Sequence, residues 1–386
     1  MAKHKVALAN PLVFRHVFVS QSLSPLKVAF VTLLVLFGSF GVGLSASATG
    51  VANASDADAA ETEESSSPID VMGKIADHDY IESPFGKVYL PRIFWVDGQF
   101  YTYSSTKKAL ASGDFIEKEG VIYRADETPI TIDLSITSHL VYVWLGFILA
   151  LLISLWAASR YRRGIGRTSA PKGALHNIYE ILYLFIRDDV IQGYIPKEKA
   201  PRYTPLLFSM FMAIAFMNLF GLLPWAATAT ADLTVTATLA FVTFIVTQAS
   251  GTKTYWGHIF NFPGVPLLVK FILTPVEILG LFTKPLALCF RLFANMLSGK
   301  IMIISILGLI FIFTELFGAT VGVGSSVIWV SLTAVLYGLK VFVALLQAYI
   351  FTLLSAVFIG GALEEHHHEE HDVEHNDVKV MDPINA

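Results

Sequence analysis

Five stretches of this chain are apolar for long enough to cross a bilayer: residues 139–158, 204–224, 233–250, about 265–317 and 326–361. About 20 residues of helix span the hydrocarbon core, and inside lipid each segment must pair its own backbone amides and carbonyls. The expected fold class is therefore an all-α polytopic membrane protein with five transmembrane helices. Composition agrees, with 54% of residues hydrophobic and 15% charged, against about a quarter charged in soluble domains. A formal net charge of −4 gives no basis for binding nucleic acid, and lipid is the expected surrounding. Cys289 is the single cysteine, so no disulfide can form within the chain.

The segments around these spans differ in character. Lys3, Lys5, Arg15 and Lys27 precede the run "VAFVTLLVLFGSFGVGL", and Ala46-Ser47-Ala48 comes after it. That order reads residues 1–48 as a secretory signal peptide, with a retained first helix as the alternative. Either one exports the segment after residue 48. Residues 49–68 are rich in alanine, serine and acids and read as a disordered linker. Residues 69–135 read as a small extracytoplasmic β element. Asp97-Gly98 inside "RIFWVDGQFYTY" marks a hairpin turn, and a second pair of strands is expected around Gly120. Residues 136–363 form the transmembrane domain. Residues 364–386 carry five histidines and seven acids between Glu364 and Asp377. They read as a solvated cytoplasmic tail, and neither a metal nor a cofactor is assigned.

Charge in the short loops sets the orientation. Arg160, Arg162, Arg163, Arg167 and Lys172 cluster after the first span, whereas "PWAATATADLT", between the second and third, has no lysine or arginine. Positive loops stay inside, which puts the N-terminus outside and the C-terminus in the cytoplasm. Residues 174–191 place Leu175, Ile178, Leu182, Phe185 and Ile186 on one face and Asn177, Arg187, Asp188 and Asp189 opposite, as an interfacial amphipathic helix does. The last two apolar segments exceed a perpendicular span. They must tilt strongly, or break at Pro275 and Pro285.

The fourth segment carries a polar stripe. Lys270, Glu277, Lys284 and Arg291 succeed one another at intervals of seven residues, which return to nearly one helix face with a drift of about 20° each. Asn295 and Ser298 extend the row, with Lys300 beside it. The fifth segment has Lys340 and, seven residues later, Gln347, near Thr333 and Tyr337. Lys270 reads as a snorkelling end, whereas Lys284 reads either as a snorkelling residue or, with Ser298, as part of a channel lining. Arg291 does not read as a snorkelling end, because no acid lies within a turn of it. An arginine with a pKa above about 12 cannot relay protons by losing its own. It is a fixed positive charge, able to hold an acid ionised or to exclude cations. The acid it acts on is expected to come from another chain.

The motifs "PVEILGLFTKPLALCFRLFANM" and "LLQAYIF", with the earlier "MNLFGLLP" and "ADLTVT", resemble subunit a of F-type ATP synthases over about Thr131–Leu363. The resemblance implies a stator with two offset half-channels that carry protons to and from the carboxylates of a rotating ring of c subunits. It implies further partners in b-type peripheral stalk subunits and the rest of the complex, in a bacterial inner membrane. Arg291 falls on the family's half-channel separator, with Asn295 and Gln347 beside it. Glu277 falls on the acid of the cytoplasmic-side channel and Asp232 at the exported mouth. Two positions depart from the family pattern: Lys300 and Lys340 stand where acids or histidines are common. The exported half-channel is therefore expected to draw on Asp232, Glu315 or ordered water. The alternative, a secondary transporter that binds an anion at Arg291, predicts inverted repeats, and the sequence has none.

Overall fold

The computed structural model describes residues 77–364, apart from 84–85, 97, 119–120, 127, 129, 131, 167–172 and 261–265. The segments read as signal peptide and linker, and the tail from residue 365 on, lie outside the described residues.

Alternating side chains in the N-terminal part pair as short antiparallel strands. β1 (Tyr80–Ser83) pairs with β2 (Gly86–Tyr89), and β3 (Arg92–Val96) with β4 (Gln99–Tyr103). A one-turn helix, α1 (Thr106–Ala111), is capped by Ser105, whose side chain accepts from the Lys108 amide. β5 (Phe115–Lys118) then pairs with β6 (Val121–Arg124), and the two-residue β7 (Ile132–Asp133) returns to β3. Phe94, Val96, Ala109 and Phe115 close a small core. The β3–β4 and β5–β6 pairs lie where the turn residues predicted them. The β1–β2 pair and α1 carry no comparable sequence signal.

Among the described residues, five helices beyond this element are long and apolar enough to cross a membrane. α2 (Ser138–Arg162) ends in the arginine cluster, and α3 (Ala174–Phe185) runs on into a π-helical turn at Ile186–Ile191. α4 (Ala200–Gly221) is the most enclosed helix, packed between α2 and the last helix. Asp232 caps α5 (Leu233–Ser250) by accepting from the Thr234 amide at 2.7 Å. The short α6 (Lys253–Phe260) leads to α7 (Leu267–Phe317) and α8 (Ala319–Leu363). At 1.5 Å per residue, α7 is about 76 Å long and α8 about 68 Å, more than twice a hydrocarbon core of about 30 Å. Their length alone demands a steep tilt.

One open choice is settled, and one helix limit differs from expectation. α7 passes through Pro275 and Pro285 as one helix, so tilt rather than breakage accommodates its length. α8 starts at Ala319 rather than 326, and the glycine-rich stretch before 326 is helical. Packing outweighs the poor helix propensity of glycine here. A Cβ on Gly322 would strike Thr314, and Phe313 meets Trp329 edge-on with centroids 5.6 Å apart. The reversal between the two helices falls on Gly318, at φ +85°.

Candidate functional site

The α7–α8 pair carries the polar stripe. Arg291 is exposed on the bundle surface, with the exposed apolar neighbours Leu286 and Phe290. It makes no hydrogen bond or ion pair among the described residues. Asn295, one turn on, donates from Nδ2 to Gln347 Oε1 of α8 at 3.5 Å, and Gln347 is 4% exposed. The sequence seam between the two helices is thus a contact. Cys289, just before Arg291, touches the Thr236 hydroxyl of α5 at 3.4 Å, so α5 backs the helix where it carries its charge.

Either side of Arg291 the stripe meets different surroundings. Glu277 lies about 21 Å along the helix from Arg291 by rise. It lines a cavity of about 460 Å³ together with Lys284, Gln248, Tyr255, His258 and Thr247. Tyr255 donates to Gln248 Oε1 at 3.4 Å. Burial pushes its phenol pKa up, and the Glu277 carboxylate pushes the same way, against the Gln248 bond. Lys284 is exposed and Lys270 half-buried. This end of the bundle also holds the start of α6 and the end of α8, joined by the Thr252 amide and Ala362 carbonyl at 3.1 Å.

Lys300, about 13 Å along α7 in the other direction, donates from Nζ to the Ala226 carbonyl at 3.1 Å. Lys340 of α8 lies against Gly299, where a Cβ would meet its Cε at 3.0 Å. Lys300 thus reaches the connector between α4 and α5, and Lys340 packs on α7 at Gly299, the residue just before Lys300. Tyr337 donates to the Leu222 carbonyl at 2.7 Å in the same region. Ser298 is exposed and bonds its own helix at the Asn295 carbonyl. Glu315 is exposed near the end of α7, some 36 Å by rise from Arg291. The structure does not bring it to the other stripe residues.

Asp232 is not alone. His139 at the start of α2 places Nδ1 3.4 Å from Asp232 Oδ2 and 3.7 Å from Asp77 Oδ1. Asp77 in turn accepts from the Ser138 hydroxyl at 2.8 Å and the His139 amide at 3.1 Å. Sequence reasoning missed both residues, since His139 marked only the edge of a span and Asp77 lies 62 positions before it. It also passed over Asn218, inside the quoted "MNLFGLLP". Fully buried in α4, Asn218 donates to the Ala344 carbonyl of α8 at 3.0 Å and accepts from the Thr230 hydroxyl at 2.8 Å. A buried amide bonded on both sides sets the register of α4, α8 and the connector.

Known proteins share this arrangement's sequence. The profile described as ATP synthase A chain matches residues 140–360. ATP synthase subunit a of Myxococcus xanthus (strain DK1622) is 42% identical over 250 residues, 63% of this chain and 78% of that protein. The subunit a of Chloroherpeton thalassium (strain ATCC 35110 / GB-78) is 44% identical over 246 residues, 62% of this chain and 70% of its own length. That of Pelodictyon phaeoclathratiforme (strain DSM 5477 / BU-1) is 36% identical over 308 residues, 78% of both chains. The matched residues hold all five candidate spans almost entire, with Arg291, Asn295, Gln347 and Glu277 among them. The chain belongs to the ATP synthase A chain family, as a multi-pass membrane component of an F-type ATP synthase that serves proton transport and ATP synthesis.

Proposed function

We propose that this chain is the stator of the membrane sector, guiding protons through two offset half-channels to and from carboxylates on a rotating c-ring. The observation that carries the reading is the placement of Arg291: exposed on the bundle surface, with no hydrogen bond or ion pair among the described residues, along the helix between the Glu277 cavity and the Lys300 region. An exposed guanidinium at membrane depth is costly unless something faces it. A ring carboxylate arriving by rotation supplies that partner. The fixed charge draws the carboxylate into its ionised form and keeps a proton from passing directly between the two regions.

The cavity around Glu277 serves as the cytoplasmic half-channel, on the side marked by the arginine cluster. The exported half-channel begins at Asp232 and runs past Lys300 and Lys340 toward the Asn295–Gln347 pair. Lys300 acts there as a hydrogen-bond donor that ties α7 to the connector through the Ala226 carbonyl. Residues 1–48 serve as the export signal, and the β element stands outside the membrane. The α3 helix, with Leu175, Ile178 and Ile181 exposed, lies in the cytoplasmic interface. The ring, b-type stalk subunits and lipid of the bacterial inner membrane cover the remaining apolar faces.

The test is ATP-driven acidification of membrane vesicles carrying Arg291→Ala in the assembled complex. The reading expects acidification to be lost, because the ring carboxylate has no charge to leave its proton for. Undiminished acidification would reject it.

A further inference from the structure

We propose that Asp77, His139 and Asp232 form a binding site for one zinc-type divalent cation at the end of the bundle that carries the β element. The three side chains come from three separate segments: the lead into β1, the first turn of α2 and the cap of α5. One ligand atom from each lies within 4.8 Å of the others. The His139 side chain is 7% exposed, and its Nδ1, directed between the two carboxylates, makes no hydrogen bond. An imidazolium held there as an ion pair would form at least one charge-assisted bond of about 2.7–2.9 Å. The separations of 3.4 and 3.7 Å are longer than that. The 3.4 Å from Nδ1 to Asp232 Oδ2 matches the distance between two ligands on a tetrahedral zinc, about 3.4 Å for metal bonds near 2.1 Å.

The surroundings also suit a metal. Each carboxylate is oriented through its Oδ1, Asp77 by Ser138 and the His139 amide and Asp232 by the Thr234 amide, which leaves Oδ2 of each as the ligand atom. Outer hydrogen bonds of this kind hold metal ligands in place. Two carboxylates and a neutral imidazole balance a dication. The cation that acts on His139 from the neighbouring helix, Lys300, is tied to the Ala226 carbonyl. One nitrogen and two carboxylates, with a fourth position left for water, suit zinc rather than calcium or magnesium, which prefer shells of oxygen alone and higher coordination. A bound ion would pin the β element to the first span and to the α4–α5 connector. The site stands whether or not the half-channels run as proposed above.

The test measures zinc retained by the purified assembled complex after dialysis against micromolar zinc. His366, His367, His368, His371 and His375 are replaced by alanine throughout to remove the imidazoles of the tail. The parent is expected to hold one zinc more per complex than Asp77→Asn, which is nearly isosteric, and one more than Asp232→Asn, which keeps a helix-capping side chain. Affinity should fall by at least the 10–100-fold that loss of an outer-shell partner costs. X-ray absorption of the retained zinc should show nitrogen and oxygen neighbours near 2.0–2.1 Å. Equal zinc in parent and both variants, or displacement by equimolar magnesium, would overturn the site and leave the three residues as an ion-pair cluster only. Vesicle acidification by Arg291→Ala reads the half-channel proposal separately.

Discussion

Arg291 and Asn218 show how differently single polar residues behave in this bundle. Arg291 was legible from sequence because it stands in a seven-residue series and has no acid within a turn, and both facts survive folding. Asn218 was not, because a lone asparagine in an apolar run gives no clue to what it bonds. Its partners lie 126 and 12 positions away, and only the packed structure brings them together. Removing it leaves the Ala344 carbonyl and the Thr230 hydroxyl buried with fewer partners, which costs about 1–3 kcal/mol per group. Asn218→Leu is therefore expected to lower the thermal stability of the assembled complex and speed proteolysis of this chain. Asn218→Asp keeps an acceptor for Thr230 but buries a carboxyl group against the Ala344 carbonyl, so it should destabilise at least as much. Equal stability of parent and Asn218→Leu would show that this amide holds nothing.

Helix existence was legible from apolar run lengths, and helix limits were not. The sequence left two readings for the fourth segment, because a proline removes a backbone donor whether or not the helix continues. What decides between them is packing: α5 meets α7 on both sides of Pro285, at Phe244–Phe282 and at Thr236–Cys289, and α8 meets it beyond at Asn295–Gln347. At 319–325 the glycines argued for a link, and tertiary contact with the end of α7 made a helix. The α7–α8 register can be checked chemically. In a Cys289→Ser background, Asn295→Cys with Gln347→Cys should cross-link readily on mild oxidation, since the two native side chains touch. Lys284→Cys with Gln347→Cys should not, being about 16 Å from Asn295 along α7. Efficient cross-linking of the second pair alone would mean that the helices are slipped against each other. Gly318→Ala tests the reversal. At φ +85° and ψ 164°, a region open essentially to glycine alone, an alanine is expected to cost about 1–3 kcal/mol, read as a lower unfolding midpoint.

At the scale of the whole molecule, five helices hold one charge between two polar regions. Loop charges gave the sidedness expected for each end. They could not show that Glu277 opens on a cavity, nor that Asp77, His139 and Asp232 converge, because those groupings join segments far apart in the chain. The central claim is that a fixed positive charge at position 291 keeps the two regions from conducting protons into each other. The direct measurement is passive proton flux through the assembled complex in sealed vesicles, driven by a potassium diffusion potential, with ATP hydrolysis blocked so that the ring stands still. No flux above background is expected in the parent or in Arg291→Lys, and a measurable leak in Arg291→Ala. A membrane as tight with alanine at that position as with arginine would contradict that claim.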